Sequence, residues 1–193
     1  VATISTPDQL TQIQNIPFIS EIQEIYTPPE KLKSSKFTME EPQSKPFSKP
    51  DKDTPNYGLS ATQVNMLNGQ ALHSNGFLGD GFEIAVLDAG FYNVNIHPIF
   101  DSLRIHNRIL GTKDFVNPSS DIFAGHIHGM MVLSIMGGYA DGHLVGTAPH
   151  ARYWLIRTED ASSEQLVEEY TWAAGAEFAD SAGADIINTS LGY

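Results

Sequence analysis

Short apolar runs that do not alternate with polar residues dominate the chain after Tyr57. FEIAVLDAGF, residues 82 to 91, places Ile84, Ala85, Val86 and Leu87 in sequence and stops at Asp88, with Ala89 and Gly90 beyond. Such a run between glycine-rich borders predicts a buried strand, and the Gly76, Gly79, Gly81 cluster predicts the turn that feeds it. Ile109 to Val116 predicts a second strand, weakened by Gly111 and Lys113; ARYWLIR (151 to 157) predicts a third and DIINTS (185 to 190) a fourth. Helical spacing appears between them. In GHIHGMMVLSIMGG, 125 to 138, Val132, Ile135 and Met136 fall at helical spacing behind His128-Gly129. Residues 162 to 182 predict a helix with Ser162 or Ser163 near its cap and Leu166, Tyr170, Ala173, Ala174 and Phe178 on one side. Ser60-Ala61-Thr62-Gln63 predicts a capping box opening a helix to about Leu67, with a further turn or two at Gln70 to Ser74. Phe91 to Phe100 reads as loop. Apolar strands separated by helices predict an α/β fold, a parallel sheet covered on both faces.

The first 56 residues have a different texture. Residues 1 to 26 predict strand, helix, strand: VATIS is β-prone, and Thr6-Pro7-Asp8-Gln9 combines a capping threonine, a proline at the first helical position and a glutamine closing the box. Leu10, Ile13 and Ile16 share a face, Pro17 ends the helix, and FISEIQEIY resumes extended structure. Residues 27 to 56 interleave six prolines with six of the chain's eleven basic residues, a composition that reads as a linker open to proteolysis. Residues 57 to 193 form the compact body.

Net charge is −12 over 193 residues, and the body alone holds 5 basic against 15 acidic residues. Nucleic acid and anionic membrane surfaces are therefore poor partners, and no apolar run approaches a membrane span. The chain has no cysteine, which removes disulfides, thiolate metal sites and cysteine nucleophiles together. It begins at Val1 with no basic-then-apolar leader, which reads as a removed signal segment or an excerpt.

Candidate chemistry gathers at strand ends, where open parallel sheets collect ligands. Asp88 stands at such an end; its other reading is an Asx turn closing the strand. Three constellations compete. Asp88 and His128 form the acid and base of a charge-oriented pair that awaits a nucleophile. Alternatively His126 and His128, with Asp121, His143 or His150, hold a metal, although no His-Glu-x-x-His pattern occurs. In the third, both histidines are cap or surface residues.

Four segments taken together favour the first. FEIAVLDAGF, HGMMVLSIMGG, LVGTAPHARYWLIRT and GADIINTSLGY resemble, in order, spacing and setting, the segments of subtilisin-like serine peptidases, the subtilase family. The resemblance runs from about Tyr57 to the end of the chain. It implies a doubly wound parallel sheet with helices on both faces, cut short after DIINTS. It also implies a serine endopeptidase that hydrolyses peptide bonds by acyl transfer, with Asp88 and His128 as triad acid and base. Ser190, Leu191 and Gly192 match the segment whose backbone pairs with a bound peptide. Residues 1 to 26 are similar to the latter part of a subtilase propeptide, a small α/β unit that would act as an intramolecular inhibitor. The implied partners are thus a peptide or protein substrate and the chain's own propeptide, and the implied location is secreted or extracytoplasmic.

Departures from the family pattern are local. Met130, Met131, Val132, Leu133 and Ser134 follow His128-Gly129 where the family usually continues Thr-His-Val-Ala-Gly, and Ala89 replaces a hydroxyl residue beside the acid. Tyr193 precedes any Gly-Thr-Ser nucleophile segment or oxyanion asparagine, so these residues are expected to be part of a longer enzyme and inactive alone. No Asp-x-Asp-x-Asp-Gly loop is present, and neither metal nor cofactor is expected. The rival functions are a catalytically inactive peptide-binding module and a histidine metal-binding hydrolase.

Overall fold

The computed structural model describes residues 6–23, 55–163 and 165–192. Helices α1 (Pro7–Gln14), α2 (Ala61–Met66) and α3 (Gly69–Ser74) precede strand β1 (Glu83–Asp88). Helix α4 (Asp101–Ile105) and strand β2 (Ile109–Asp114) follow, then helix α5 (His128–Gly137) and a hairpin of β3 (Tyr139–Ala140) and β4 (Leu144–Val145). Strand β5 (Arg152–Arg157), helix α6 (Val167–Ser181) and strand β6 (Ile186–Thr189) complete the order.

Strands β2, β5, β1 and β6 lie side by side in that order, all parallel. The unalternated run of β1 is explained by its central place. Ile84 and Val86 enter a core with Tyr153, Leu155, Leu103 and Leu133 on one face, while Ala85 and Leu87 join Ile156 and Ala179 on the other. Helix α5 covers the first face and α6 the second, so both need apolar residues. Complete burial of a side chain such as Leu87 contributes about 1.5–3 kcal/mol.

Helix α1 starts as its sequence predicts: Thr6 Oγ1 accepts the Gln9 amide at 3.3 Å and Gln9 Oε1 accepts the Thr6 amide at 3.1 Å. Residues 18–23 contain no strand, and the remaining β-prone residues of this piece, 1–5 and 24–26, lie outside the described residues, as does most of the 27–56 linker.

The second capping box does not form. Helix α2 is present, but Ser60 makes no cap bond; its hydroxyl donates to Tyr57 O (2.8 Å) or Val145 O (2.9 Å) and accepts the Val145 amide (3.0 Å). Tertiary pairing has taken the group that local chemistry would have used. Neighbouring backbone follows the same course: Gly142 N donates to Asn56 O, Leu59 N to His143 O, and Asn56 N to Asp141 Oδ1. Residues 56–60 thus form a strap along β4.

Helix α6 differs from its predicted form in start and face. It begins at Val167 rather than near Ser162 or Ser163, and it buries Glu168, Thr171, Gly175 and Ala179. Leu166 is 53% exposed and Tyr170 39%. The inward polar residues are satisfied by the preceding loop: Glu168 accepts the amides of Asp160 and Gln165 at 3.1 Å, and Thr171 donates to Thr158 O at 2.6 Å. A Cβ on Gly175 would stand 2.5 Å from Thr158 Cγ2, so glycine sets the distance between helix and sheet. Helix α4 and the β3–β4 hairpin were not legible in the hydrophobic pattern; both are too short to show a period. Among the described residues no helix is long and apolar enough to cross a membrane.

Candidate active site

Asp88 ends β1 and His128 opens α5, and the two side chains meet. His128 Nδ1 lies 2.9 Å from Asp88 Oδ1 and 3.0 Å from Oδ2. With the carboxylate ionised, Nδ1 carries the proton and donates, which leaves Nε2 as the basic nitrogen. Asp88 has no exposed surface, and the His128 side chain is 19% exposed. Burial pushes the Asp88 carboxyl above its ordinary range, while the hydrogen bond and charge of His128 and the Ala89 amide draw it back. That amide donates to Oδ1 at 2.7 Å.

Two loops fix the pair. After β1, the amides of Phe91, Tyr92 and Asn93 donate to the carbonyls of Ile122, His126 and Phe123 at 3.0, 3.2 and 2.9 Å. The segment following Asp88 is therefore laced to the segment preceding His128. Gly129 brings helix and strand into contact: a Cβ there would stand 2.5 Å from Gly90 O and 2.8 Å from Asp88 Cβ. Glycine after the histidine is thus a steric requirement of the Asp88–His128 approach.

His126 meets the backbone of His128. Its Nδ1 accepts the His128 amide at 3.2 Å, and burial first, then the nearby charges of His128 and Arg157, hold its ring below the usual histidine range. The other candidate metal ligands are dispersed in function. Asp121 accepts the Phe123 amide at 2.9 Å to cap a short 3₁₀ turn, and His150 pairs with Asp80 at 3.0 Å. Among the described residues, no three histidine or acidic side chains gather as a metal site.

The subtilase family model matches residues 79–193, more than half of the chain. The chain belongs to the subtilase family. It is 29% identical over 135 residues to Subtilisin E of Bacillus subtilis (strain 168), a match covering 67% of this chain and 32% of that protein. Against Subtilisin of Bacillus pumilus it is 28% identical over 135 residues, covering 67% and 44%. The solved structure of MycP1 from Mycobacterium smegmatis aligns at 20% identity over 83% of this chain and 43% of that one, with a TM-score of 0.49. The chain spans about a third of the length of Subtilisin E, and under half that of Subtilisin of Bacillus pumilus.

Within this subtilase chain, Ser190, Leu191 and Gly192 continue β6 beyond Thr189, whose sheet partner is Leu87. They leave the sheet at the end where Asp88 stands, with Ser190 and Gly192 exposed. The Asn188 Nδ2 group donates to Ser190 Oγ at 3.4 Å. One neighbour of the acid was not singled out from sequence. Arg157, the last residue of β5, is the sheet partner of Asp88. Its signal was a cation closing a buried strand.

Proposed function

We propose that Asp88 and His128 are the acid and base of a serine endopeptidase triad, and that the nucleophilic serine is supplied from outside residues 1–193. The observation that carries this reading is the buried 2.9 Å contact between His128 Nδ1 and Asp88 in a chain of the subtilase family. In the reaction, His128 Nε2 takes the serine hydroxyl proton as the oxygen attacks the peptide carbonyl. The imidazolium then gives that proton to the leaving amine, and the acyl-enzyme is hydrolysed by the reverse sequence with water. Asp88 stays ionised throughout, holding the proton on Nδ1 and stabilising the imidazolium.

Ser190, Leu191 and Gly192 supply a backbone edge against which a peptide substrate lies as an added strand. Their position at the Asp88 end of β6 supports that role. Residues 1–26 are the end of a propeptide, joined through 27–56 to the peptidase body, and the mature enzyme acts outside the cytoplasm. The capped helix α1, with no buried residue of its own, fits a small unit that needs another surface to cover it.

The experiment is substitution and active-site labelling in the full-length protein. His128→Ala removes nearly all peptidase activity, whereas His126→Ala leaves most of it. A fluorophosphonate labels one serine outside residues 1–193, and the 193-residue piece alone does not label. Full-length protein that neither labels nor cleaves, yet binds peptides, would make this an inactive peptide-binding module. Stoichiometric labelling within 1–193 would overturn the assignment of the nucleophile.

A further inference from the structure

Arg157 lies where three strand ends meet. In the sheet register it stands between Asp88 of β1 and Asp114 of β2, and its side chain is 16% exposed. Its Nη1 donates to Asp114 Oδ2 at 3.3 Å. Nε donates to Ala89 O at 3.0 Å and to Glu159 O at 3.3 Å, and Nη2 lies 4.0 Å from Asp160 Oδ1.

The two ends of this bridge are unlike. Asp114 is a buried, fixed anchor: its carboxylate accepts the amides of Val116 and Asn117 at 2.8 and 2.7 Å and the Ser120 hydroxyl at 2.5 Å. Ala89 is the residue directly after the acid, and it is held from both sides. Its amide supports Asp88 Oδ1 at 2.7 Å, and its carbonyl accepts a hydrogen bond from Arg157 Nε at 3.0 Å. Among the described residues no other donor reaches that carbonyl. The methyl side chain of Ala89 has no hydroxyl to offer the carboxylate, so the direction of its amide is what counts.

We propose that Arg157 is a positioning residue for the Asp88–His128 pair: anchored on Asp114, it holds the Ala89 carbonyl and thereby keeps the Ala89 amide aimed at the Asp88 carboxylate. The proposal rests on the peptidase reading given above. If Ala89 turns, Asp88 loses the Ala89 amide while remaining buried. Gly90 turns with it, and Gly90 O faces Gly129, next to His128, so closely that a Cβ on Gly129 would stand 2.5 Å from it. A lysine at 157 does not replace the guanidinium. The donors of an ammonium leave from a single nitrogen, whereas the planar fork reaches the Ala89 carbonyl and Asp114 from two separate nitrogens, Nε and Nη1.

The test uses the full-length protein, a peptide substrate, and the low-field proton resonance of the His128 Nδ1–H donated to Asp88. Arg157→Lys and Arg157→Gln are expected to lower kcat about 10- to 100-fold with KM changed less than about 3-fold, and to weaken or shift that resonance. Asp114→Asn, which loosens the anchor but leaves Nε on Ala89, is expected to lower kcat by clearly less than Arg157→Gln does, and to lower Tm. Should the Arg157 variants fail to fold, the double variant Arg157→Gln with Asp114→Asn, which removes both charges of the pair, is expected to fold and show the same loss of kcat. Wild-type kcat and an unchanged resonance in Arg157→Lys overturn the proposal. So does an Asp114→Asn variant that loses as much kcat as Arg157→Gln, since Arg157 would then act only as a structural ion pair. Asp88→Asn is measured alongside, and full activity there would instead overturn the peptidase reading itself.

Discussion

At Asp88 the chain sets a carboxylate without exposed surface at a strand end and gives it the Ala89 amide and the His128 ring as partners. Burial raises its folded pKa above the ordinary 3.8, against the pull of those partners. Between the unfolded and folded values the folded protein binds the extra proton. The contribution of this group to stability is therefore present below pH 3.8 and is lost as pH rises through the folded value. At neutral pH the ionised acid works against the fold. Asp88→Asn is accordingly expected to hold or raise Tm at pH 7 while removing nearly all peptidase activity of the full-length protein, read by calorimetry beside a peptide-cleavage assay. A fall in Tm of several degrees would show that the ionised carboxylate is a net stabiliser. The pairing of Asp88 with His128, rather than with His126, was legible because a strand end, a helix start and the following glycine are all local signals. Arg157 was not, since its meaning lies in a sheet register that places it beside Asp88, 69 residues earlier in the chain.

Helices α5 and α6 were legible to different degrees, and the difference has a physical source. In α5 the buried residues Met130, Val132 and Leu133 are apolar, so the helix was legible from its composition, although Ile135, grouped with Val132 by spacing, is 61% exposed. In α6 the inward face carries Glu168 and Thr171, which bond the backbone of Thr158, Asp160 and Gln165, and Leu166 is left outside. Periodicity alone misplaced Leu166 and Tyr170, although Phe178 does pack against the core. The contact of α5 with β1 gives a sharp expectation. Gly129→Ala drives a methyl into Gly90 O and Asp88 and is expected to cost about 1–3 kcal/mol and to separate His128 from the acid. Denaturant unfolding and kcat would both report it; a fully stable, fully active variant would contradict the packing.

Two histidines cap short structural turns in their neutral form, His97 accepting the Ile99 amide at 3.3 Å and His126 the His128 amide at 3.2 Å. Burial is the first cause that lowers both rings below 6.5, aided at His97 by Arg104 against the opposing pull of Asp101. The unfolded chain then takes up protons first, so stability is present above about pH 6.5 and is lost as pH falls through the folded values. The urea midpoint should drop between pH 7.5 and 5.5, and the double variant His97→Gln with His126→Gln should flatten that drop. An unchanged slope would place the acid lability elsewhere.

Over the whole molecule the parallel α/β sheet was legible from four apolar runs, whereas its edge was only inferred. Among the described residues β6 pairs with β1 alone, and Ile186 is 49% exposed. Such an edge offers unpaired backbone and apolar side chains to another chain. The 193-residue piece expressed alone is expected to aggregate, and Ile186→Lys with Ile187→Lys should raise its soluble fraction in a sedimentation assay. The strap of residues 56–60 bears on a different matter. Its bonds to Asp141, Gly142, His143 and Val145 join the chain to the β3–β4 hairpin before α2 begins. A pull on anything attached ahead of Asn56 is therefore shared among several hydrogen bonds on that hairpin before it is passed to α2, so a tethered N-terminal segment is held by the strap as well as by its own peptide link.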